Sequence, residues 1–205
     1  MCIRDRVRDL RRKTVDAIIA ARRFAPFADL SDLLLRAPMA AKEIRHLIQC
    51  GALDGLGNSR AAMLDEAADI HRAGGAQQIA FDFFARRTVT PEAPATRLAW
   101  EHELLGQPLS VHPLDLVEDD AGGVHSLAET MGDPGKGIIA QGVRLPGWTG
   151  GKGFYLGDRQ TFVLAIPVQG IETPPAWQPV RIRGRWRMDD WGGGWLQVES
   201  VVTCG

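Results

Sequence analysis

The sequence lacks the features that anchor a protein in a membrane or cross-link it covalently. No apolar run approaches the roughly 18 residues that a membrane-spanning helix needs, and the basic residues 1–12 have no apolar core of the kind that a secretory signal requires. Cysteine occurs only three times, far apart and without a C-x-x-C pair, which argues against a disulfide framework or a zinc site. We therefore predict a cytoplasmic chain with no membrane partner.

Catalytic and metal-binding patterns are equally scarce. The five histidines show no H-x-x-x-H or H-E-x-x-H spacing, and no serine stands in a G-x-S-x-G turn. The composition, 45% hydrophobic and 24% charged, is that of an ordinary folded protein. We therefore predict no active site and no cofactor within this sequence. A small enzyme of unknown type that uses His102 or His112 is a remote alternative.

Charge is unevenly distributed along the chain, although the net charge is only −1. Lys and Arg outnumber Asp and Glu by five in residues 1–60, fall short of them by nine in residues 61–135, and exceed them by three in residues 136–205. Two basic ends therefore flank an acidic middle. The basic ends suit an anionic polymer, whereas the acidic middle does not.

The period of the apolar residues changes from helical to alternating along the chain. Helices are predicted from Val15 to Arg22, from Asp29 or Ser31 to Leu35, from Ala40 to Cys50, from Asn58 or Ser59 towards His71, and from Leu98 to Leu105. Strands are predicted at Gly137–Arg144, Gly153–Gly157, Thr161–Val168, Val180–Met188 and Trp195–Val202. The pattern indicates an α+β multidomain chain, with a helical region followed by a small antiparallel β-barrel of the oligonucleotide-binding type. A small antiparallel sandwich would give a similar pattern.

The segment from Ile44 to Leu64 has the form of a helix, a glycine-containing hairpin and a second helix. In a helix-hairpin-helix unit the glycines let the backbone approach a phosphate, and the next helix points its free N–H groups at it. Such contacts do not depend on the DNA sequence. The predicted DNA-binding residues here are Lys42, Arg45, Gly51, Gly55, Gly57, Ser59 and Arg60. A plain helical hairpin with glycine caps is the alternative.

Four arginines alternate along the fourth predicted strand and so share one face of the sheet. They are Arg181, Arg183, Arg185 and Arg187. The other face takes Val180, Ile182, Trp186 and Met188. An anionic strand could lie across the arginines, with exposed tryptophans available for base stacking. Alternatively, the face is solvated and neutralised by cross-strand carboxylates such as Glu199, with a bulge at Gly184.

An apolar island, Gln77–Phe84, separates the helical region from a Pro-rich linker. Exposed apolar residues in such a segment are typical of a docking peptide, although these aromatics could also pack against the helical core. We divide the chain into a helix-hairpin-helix region (1–76), a docking peptide with its linker (77–97), a helix with a connecting segment (98–135) and the barrel (136–205).

The order of these pieces resembles that of the bacterial C-family DNA polymerases, the DNA polymerase III alpha subunits. The runs that carry the likeness are AARRFAPFADLSDLLLR, LIQCGALDGLGNSRAAML, QQIAFDFF and LAWEHELLGQPLSVHPLDL. The resemblance covers roughly residues 7–200 and is strongest up to Val117. It implies a helix-hairpin-helix region on primer–template duplex, a glutamine-led peptide on the sliding clamp and a barrel on single-stranded template. The clamp peptide is then Gln78, Ile79, Phe81 and Phe83, or a register from Gln77 to Phe81.

Several parts of the family pattern are missing from the sequence. Nothing resembles the palm domain with its catalytic aspartates and magnesium, or the N-terminal phosphoesterase-like domain, and only Val7–Arg23 remains of the first hairpin unit. The opening MCIRDR does not look like family sequence. We therefore expect the C-terminal piece of a polymerase that acts in replication or translesion repair, with the end after the barrel favouring the error-prone type. The alternative is a free-standing DNA-binding accessory protein without polymerase activity.

Overall fold

The computed structural model describes residues 7–73, 89–118, 124–131 and 134–204. These residues form two compact units, one up to Val111 and one from His112 onward. The first unit is helical, and the second contains a closed barrel of five strands. The α+β class and the barrel are therefore confirmed. None of the helices in the described ranges combines the length and the apolar character that crossing a membrane would require.

The described residues of the first unit form five helices, three of which supply the buried core while the first packs against it. The helices are α1 (Arg12–Phe24), α2 (Leu30–Arg36), α3 (Ala41–Gln49), α4 (Arg60–Arg72) and α5 (Pro94–Leu105). The Asp29 carboxylate caps α2 by accepting from the N–H of Asp32 at 2.7 Å. Pro94 begins α5, and Gly106 ends it with a φ of +71°. The core is built from α2, α3 and α4 and includes Leu30, Leu33, Ile44, Ile48, Met63 and Ile70.

The second unit begins with a short 3-10 helix (Pro113–Leu116) and a one-turn helix, α6 (Leu127–Thr130). The barrel strands are β1 (Gly137–Leu145), β2 (Phe154–Gly157), β3 (Phe162–Pro167), β4 (Pro179–Met188) and β5 (Gly194–Thr203). They close in the order β1-β2-β3-β5-β4, with β4 pairing back to β1. The prediction that all pairs are antiparallel is wrong for one of them, because β3 and β5 run parallel.

Alternation along the strands separates the interior of the barrel from its outer surface. The interior holds a cluster that includes Phe154, Leu156, Ile182, Trp186, Leu196 and Val198. Met188 was predicted to share the interior face of β4, but it is 52% exposed because the strand ends there and turns into a loop. The predicted bulge is confirmed. Arg183 pairs with Ser200 and Gly184 with Val198, which leaves Glu199 as the extra residue on β5.

Candidate nucleic-acid interface

The hairpin between α3 and α4 is organised around a buried arginine. Arg60, the first residue of α4, is 2% exposed. Its guanidinium donates to both carboxylate oxygens of Asp54 at 2.8 Å, to the carbonyl of Gln49 at 3.0 Å, and to Glu101 of α5 at 2.9 Å. Burial alone would lower the pKa of Arg60, but the hydrogen bonds to Asp54 and Glu101 outweigh it and raise the pKa. The prediction that the Arg60 side chain contacts DNA phosphate is therefore wrong, because the guanidinium faces the protein interior.

Glu101 is fully buried and joins this arginine to the chain that follows α5. One carboxylate oxygen accepts from Arg60 and from the Ser110 hydroxyl at 2.6 Å, and the other accepts from the N–H groups of Leu109 and Ser110 at 2.6 and 2.9 Å. Burial raises the pKa of Glu101, but the hydrogen bonds from Ser110, Leu109 and Arg60 together lower it by more. The net pKa therefore lies below its usual value. The buried pair therefore holds three segments together: the hairpin, α5 and residues 109–110.

The N-terminus of α4 is occupied by protein groups. The Glu92 carboxylate accepts from the N–H of Ala61 at 2.8 Å, and the Ser59 hydroxyl accepts from the N–H of Ala62 at 3.1 Å. Arg97 donates to Glu92 at 2.6 Å and so fixes that carboxylate in place. Ser59 is thus the N-cap of α4, which confirms one of the two predicted alternatives, Asn58 and Ser59. The Ser59 residue is only 8% exposed. These two contacts satisfy N–H groups that the prediction left free for a phosphate, and the approach of DNA to this end of α4 stays a prediction.

The three hairpin glycines differ in what surrounds them. Gly51 has a φ of +79°, and a Cβ there would collide with the Arg60 guanidinium. A Cβ on Gly57 would meet the Met63 side chain at 2.6 Å, whereas one on Gly55 would meet nothing within 4 Å. Gly51 and Gly57 are therefore needed for packing within the protein. Gly55 is the hairpin glycine whose side-chain direction is open to a ligand.

The remaining predicted cations of the first unit lie on α3. Lys42 is 64% exposed and its ammonium lies 2.7 Å from the Asp9 carboxylate. Arg45 is exposed and forms no ion pair within the described residues. Because they are three residues apart on one helix, the two side chains are neighbours on its surface. The structure thus brings Lys42 and Arg45 together and separates both from the buried Arg60.

The arginines of β4 lie on the outer surface of the barrel, as predicted, but two of them have cross-strand partners. Arg185 donates to Glu199 at 2.9 Å, and Arg187 donates to Gln197 at 2.8 Å. Arg181 is half-buried opposite Gln141 and Val202. Arg183 is exposed and forms no side-chain hydrogen bond or ion pair with the described residues. The neutralised face predicted as the alternative is thus confirmed for Arg185, and Arg183 is the position most accessible to an anion.

Exposed aromatic side chains occupy a different part of the barrel surface. Trp148, in the loop after β1, is 87% exposed, and Phe162, at the start of β3, is 63% exposed. Tyr155 of β2 is half-buried nearby. Its ring meets Phe162 edge to face at 5.9 Å, and a Cβ on Gly147, beside Trp148, would contact the same ring at 2.9 Å. Sequence reasoning singled out Trp148 but missed Tyr155 and Phe162, because their proximity depends on the β2–β3 pairing.

The second unit also carries an exposed tryptophan on a loop and a histidine that caps a short helix. Trp191, in the β4–β5 loop, is 95% exposed, and its backbone N–H donates to the Asp189 carboxylate at 3.0 Å. His112 caps the 3-10 helix by accepting from the N–H of Leu114 at 3.2 Å, and burial lowers its pKa. Within the described ranges no group of three or more His, Cys, Asp or Glu residues could hold a metal ion.

The predicted clamp peptide, Gln78, Ile79, Phe81 and Phe83, lies outside the described residues. Its docking role therefore stays a prediction from sequence.

Comparison with known proteins finds a motif in the first unit and a similarity to part of one longer protein. The family model of the helix-hairpin-helix motif matches residues 5–63. The chain is also 32% identical over 111 residues to the error-prone DNA polymerase of Aromatoleum aromaticum (strain DSM 19018 / LMG 30748 / EbN1). That alignment covers 54% of this chain and 10% of the polymerase, so the chain is similar to about a tenth of that protein.

Two solved structures show only a weak likeness. The hypothetical protein ygiW from E. coli is 13% identical, with a TM-score of 0.34, over 40% of this chain and 91% of that one. Asparaginyl-tRNA synthetase from Pyrococcus horikoshii, complexed with asparaginyl-adenylate, is 18% identical, with a TM-score of 0.33, over 40% of this chain and 22% of that one. At these TM-scores neither likeness bears on fold or function.

Proposed function

We propose that this chain binds DNA as a non-catalytic part of a C-family-like DNA polymerase, in replication or translesion repair synthesis. The observation that carries the proposal is the helix-hairpin-helix match in residues 5–63, which precedes a barrel of the oligonucleotide-binding type. The similarity to an error-prone polymerase supports the same assignment. The first unit would hold primer–template duplex, and the barrel would hold single-stranded template.

Base stacking on the barrel is supported by the exposed Trp148 and Phe162 together with the half-buried Tyr155, which we call the aromatic row. Aromatic side chains bind bases of any sequence, and each stacked base contributes roughly 1–3 kcal/mol. Exposed aromatics in a row are costly to leave in water, so their exposure favours a ligand with π faces. On β4, Arg183 and its neighbours offer a second surface that suits the phosphates of the same strand.

The test is fluorescence anisotropy of a labelled primer–template, titrated with the full chain at several salt concentrations. The proposal expects the logarithm of the affinity to fall linearly with the logarithm of salt concentration, with a slope of about −0.9 for each duplex phosphate contacted. Absence of binding at low salt, from a chain whose circular dichroism shows it to be folded, would refute DNA binding.

Variants of the barrel separate its two surfaces. Trp148→Ala should weaken binding to single-stranded DNA by roughly 1–3 kcal/mol while leaving duplex binding unchanged, because only unpaired bases can stack on it. Arg183→Glu with Arg185→Glu should also weaken single-strand binding more than duplex binding. Trp191→Ala is the matched control, since it removes an exposed tryptophan outside the aromatic row. Equal losses for Trp148→Ala and Trp191→Ala would contradict stacking on the row.

Binding to a bacterial sliding clamp is the second part of the proposal, and the run QQIAFDFF supports it. Gln78 would fill a polar subsite, and the aromatics Phe81 and Phe83 would fill an apolar pocket. Phe81→Ala with Phe83→Ala should abolish binding of the full chain to the clamp in a surface plasmon resonance assay. Phe84→Ala, one residue outside the proposed set, is the control. Unchanged clamp affinity in the double variant would disprove the assignment.

The free-standing accessory protein remains the competing function. It would use the same two units to bind DNA, and it predicts the same salt dependence. Coding sequence that continues upstream in frame with Met1 would rule it out, whereas a promoter and start codon at Met1 would favour it.

A further inference from the structure

The hairpin between α3 and α4 presents backbone N–H groups that the rest of the described chain does not use. Gly55 and Gly57 are exposed, and their N–H groups form no hydrogen bond with the described residues. A Cβ on Gly55 would meet nothing within 4 Å, so a ligand can approach the backbone closely there. Phosphate oxygens accept readily from backbone N–H groups. Under the proposed function, these two groups are donors from the hairpin to the duplex backbone.

Two short hydrogen bonds set the shape of the turn that carries these donors. The N–H of Asp54 donates to the carbonyl of Gly51 at 3.3 Å, and the N–H of Leu56 donates to the carbonyl of Leu53 at 2.8 Å. Each bond joins residues three positions apart, so it fixes the local turn but not the position of the turn relative to the two helices. The direction of the exposed N–H groups therefore depends as well on contacts between the hairpin and the helices.

Arg60, the first residue of α4, makes such a contact. Its guanidinium donates to both carboxylate oxygens of Asp54 at 2.8 Å and to the carbonyl of Gln49, the last residue of α3, at 3.0 Å. One planar side chain therefore joins the end of α3, the hairpin and the start of α4. Asp54 and Gly55 share a planar peptide unit, so holding Asp54 restricts the direction of the Gly55 N–H.

Glu101 of α5 binds the same guanidinium and so fixes the arginine. Its carboxylate is 0% exposed and lies 2.9 Å from the Arg60 guanidinium. Glu101 lies outside residues 5–63, which match the helix-hairpin-helix motif. A helix beyond the motif thus contributes to how the hairpin of the motif is held.

Asp54 is an unexpected residue on a surface that is proposed to meet DNA. Its side chain is 46% exposed, and it directly precedes Gly55, so its negative charge lies close to the proposed phosphate. Like charges repel, so an acid at this position lowers the affinity for DNA unless another effect outweighs the repulsion. The bidentate contact with Arg60 neutralises the carboxylate and holds the hairpin, which offsets that repulsion.

We propose that Arg60 is a positioning residue for duplex binding. It does not touch phosphate, but through Asp54 it holds the hairpin so that the N–H groups of Gly55 and Gly57 face the DNA backbone. This inference rests on the proposed function, because it specifies how the hairpin is prepared for the duplex.

The experiment measures fluorescence anisotropy of a labelled blunt duplex, titrated with the full chain from about 50 to about 200 mM salt. Asp54→Asn weakens the contact with Arg60 at a half-exposed residue, where the fold should survive. Although this change removes a negative charge from the binding surface, duplex affinity should fall by about threefold or more, because the hairpin is no longer held. Asp16→Asn is the matched control. It makes the same charge change on α1, at a side chain that is 60% exposed, and should leave affinity unchanged or slightly higher.

Arg60→Met distinguishes positioning from direct contact. Affinity should fall by about tenfold or more, since at least one hydrogen bond to a charged phosphate is lost. The slope of log affinity against log salt should stay unchanged, because backbone N–H groups carry no net charge. A direct contact between Arg60 and phosphate would instead make the slope shallower by about 0.9.

A second control separates positioning from loss of stability. Leu33→Ala truncates a core residue of α2 that is 1% exposed, so it destabilises the unit to a comparable degree but leaves every contact of Arg60 in place. Its affinity should stay within about twofold of wild type. Circular dichroism shows which variants are folded, and if Arg60→Met is not, Asp54→Asn decides alone.

Each outcome decides the question. Weaker binding in Asp54→Asn and Arg60→Met, at an unchanged slope and with Leu33→Ala near wild type, supports the positioning role. Affinity in Asp54→Asn that equals or exceeds that of the wild type would overturn it. A slope shallower by about 0.9 in Arg60→Met, or an equal loss of affinity in Leu33→Ala, would overturn it too. If the folded wild-type chain does not bind duplex at all, the proposed function itself fails and this inference fails with it.

Discussion

The buried Arg60–Glu101 pair makes a quantitative prediction about the stability of the helical unit. The two side chains are 2% and 0% exposed and 2.9 Å apart. Removing one member of such a pair leaves an uncompensated buried charge, which typically costs about 3–5 kcal/mol. Arg60 keeps Asp54 as a second partner when Glu101 is lost, so we expect Glu101→Leu to cost about 3 kcal/mol. Arg60→Met leaves the buried Glu101 carboxylate with its hydrogen bonds from residues 109–110 but without a cationic partner. We expect this substitution to lower the free energy of unfolding by about 4 kcal/mol.

The double variant tests the reasoning more sharply than either single one. Replacing a whole buried ion pair by apolar residues of similar volume is often close to neutral. Arg60→Met with Glu101→Leu should therefore lose at least about 2–3 kcal/mol less than the sum of the single losses, which is the coupling of interacting neighbours. Additivity within about 0.5 kcal/mol would refute the claim that these two charges stabilise one another.

Urea unfolding provides the assay. Far-UV circular dichroism reports mainly the helices of the first unit, whereas five of the six tryptophans lie in residues 148–195, so their fluorescence reports mainly the barrel. With a urea slope of about 1.5 kcal/mol per molar, a loss of 3 kcal/mol lowers the midpoint by about 2 M. The fluorescence transition is the internal control, and a similar shift there would show that the substitution acts on the whole chain. Asp54→Asn, at a half-exposed partner, should cost only about 1 kcal/mol.

Two further predictions concern Glu43, whose buried carboxylate is bound by Arg11 and Thr14, and the hairpin glycines. Because the folded-state pKa of Glu43 is depressed, its contribution is present above the usual glutamate pKa of about 4.3 and is lost as the pH falls below it. The urea midpoint should thus drop between pH 5 and pH 3, and Glu43→Gln should flatten that drop; an equal drop in the variant would contradict the role of Glu43. Gly51→Ala should lower the free energy of unfolding by at least about 1–2 kcal/mol, because φ is +79° and the new methyl meets Arg60. Gly55→Ala should change it by less than about 0.5 kcal/mol, and equal effects at both glycines would argue against this packing.

Elements governed by local pattern were predictable from sequence. All five strands were placed within two residues of their ends, because alternation and glycine or proline turns mark them. Ser59 was one of two predicted caps for α4, and the bulge was predicted from a glycine inside a strand. The short helix α6 was missed, although Ser126 and Glu129 form a readable capping box in front of it. The parallel β3–β5 pair was also missed, since strand pairing is not encoded in the alternation of either strand.

The candidate site was less predictable, because its charges are decided by partners far along the chain. Arg60 read as a phosphate ligand because it opens a helix after a glycine hairpin. The Arg60 guanidinium instead binds Glu101, which lies 41 residues later in the sequence. Similarly, the N–H of Ala61 in α4 donates to Glu92, which lies 31 residues later. No local window of sequence contains both members of either contact. Residue type and spacing therefore located the cations, but only the tertiary fold shows which of them remain available.

Three glutamate side chains link distant segments of the first unit. The side chains of Glu43, Glu92 and Glu101 are each at most 3% exposed, and each accepts from a backbone N–H group as well as from an arginine. A carboxylate that is buried and hydrogen-bonded in this way is neutralised close to its own position. Each of these carboxylates also neutralises one arginine of the unit, because Glu43 binds Arg11, Glu92 binds Arg97 and Glu101 binds Arg60. The three pairs therefore join segments far apart in sequence without changing the net charge of the unit, so that substituting any one of these glutamates should affect stability before it affects the proposed affinity for DNA.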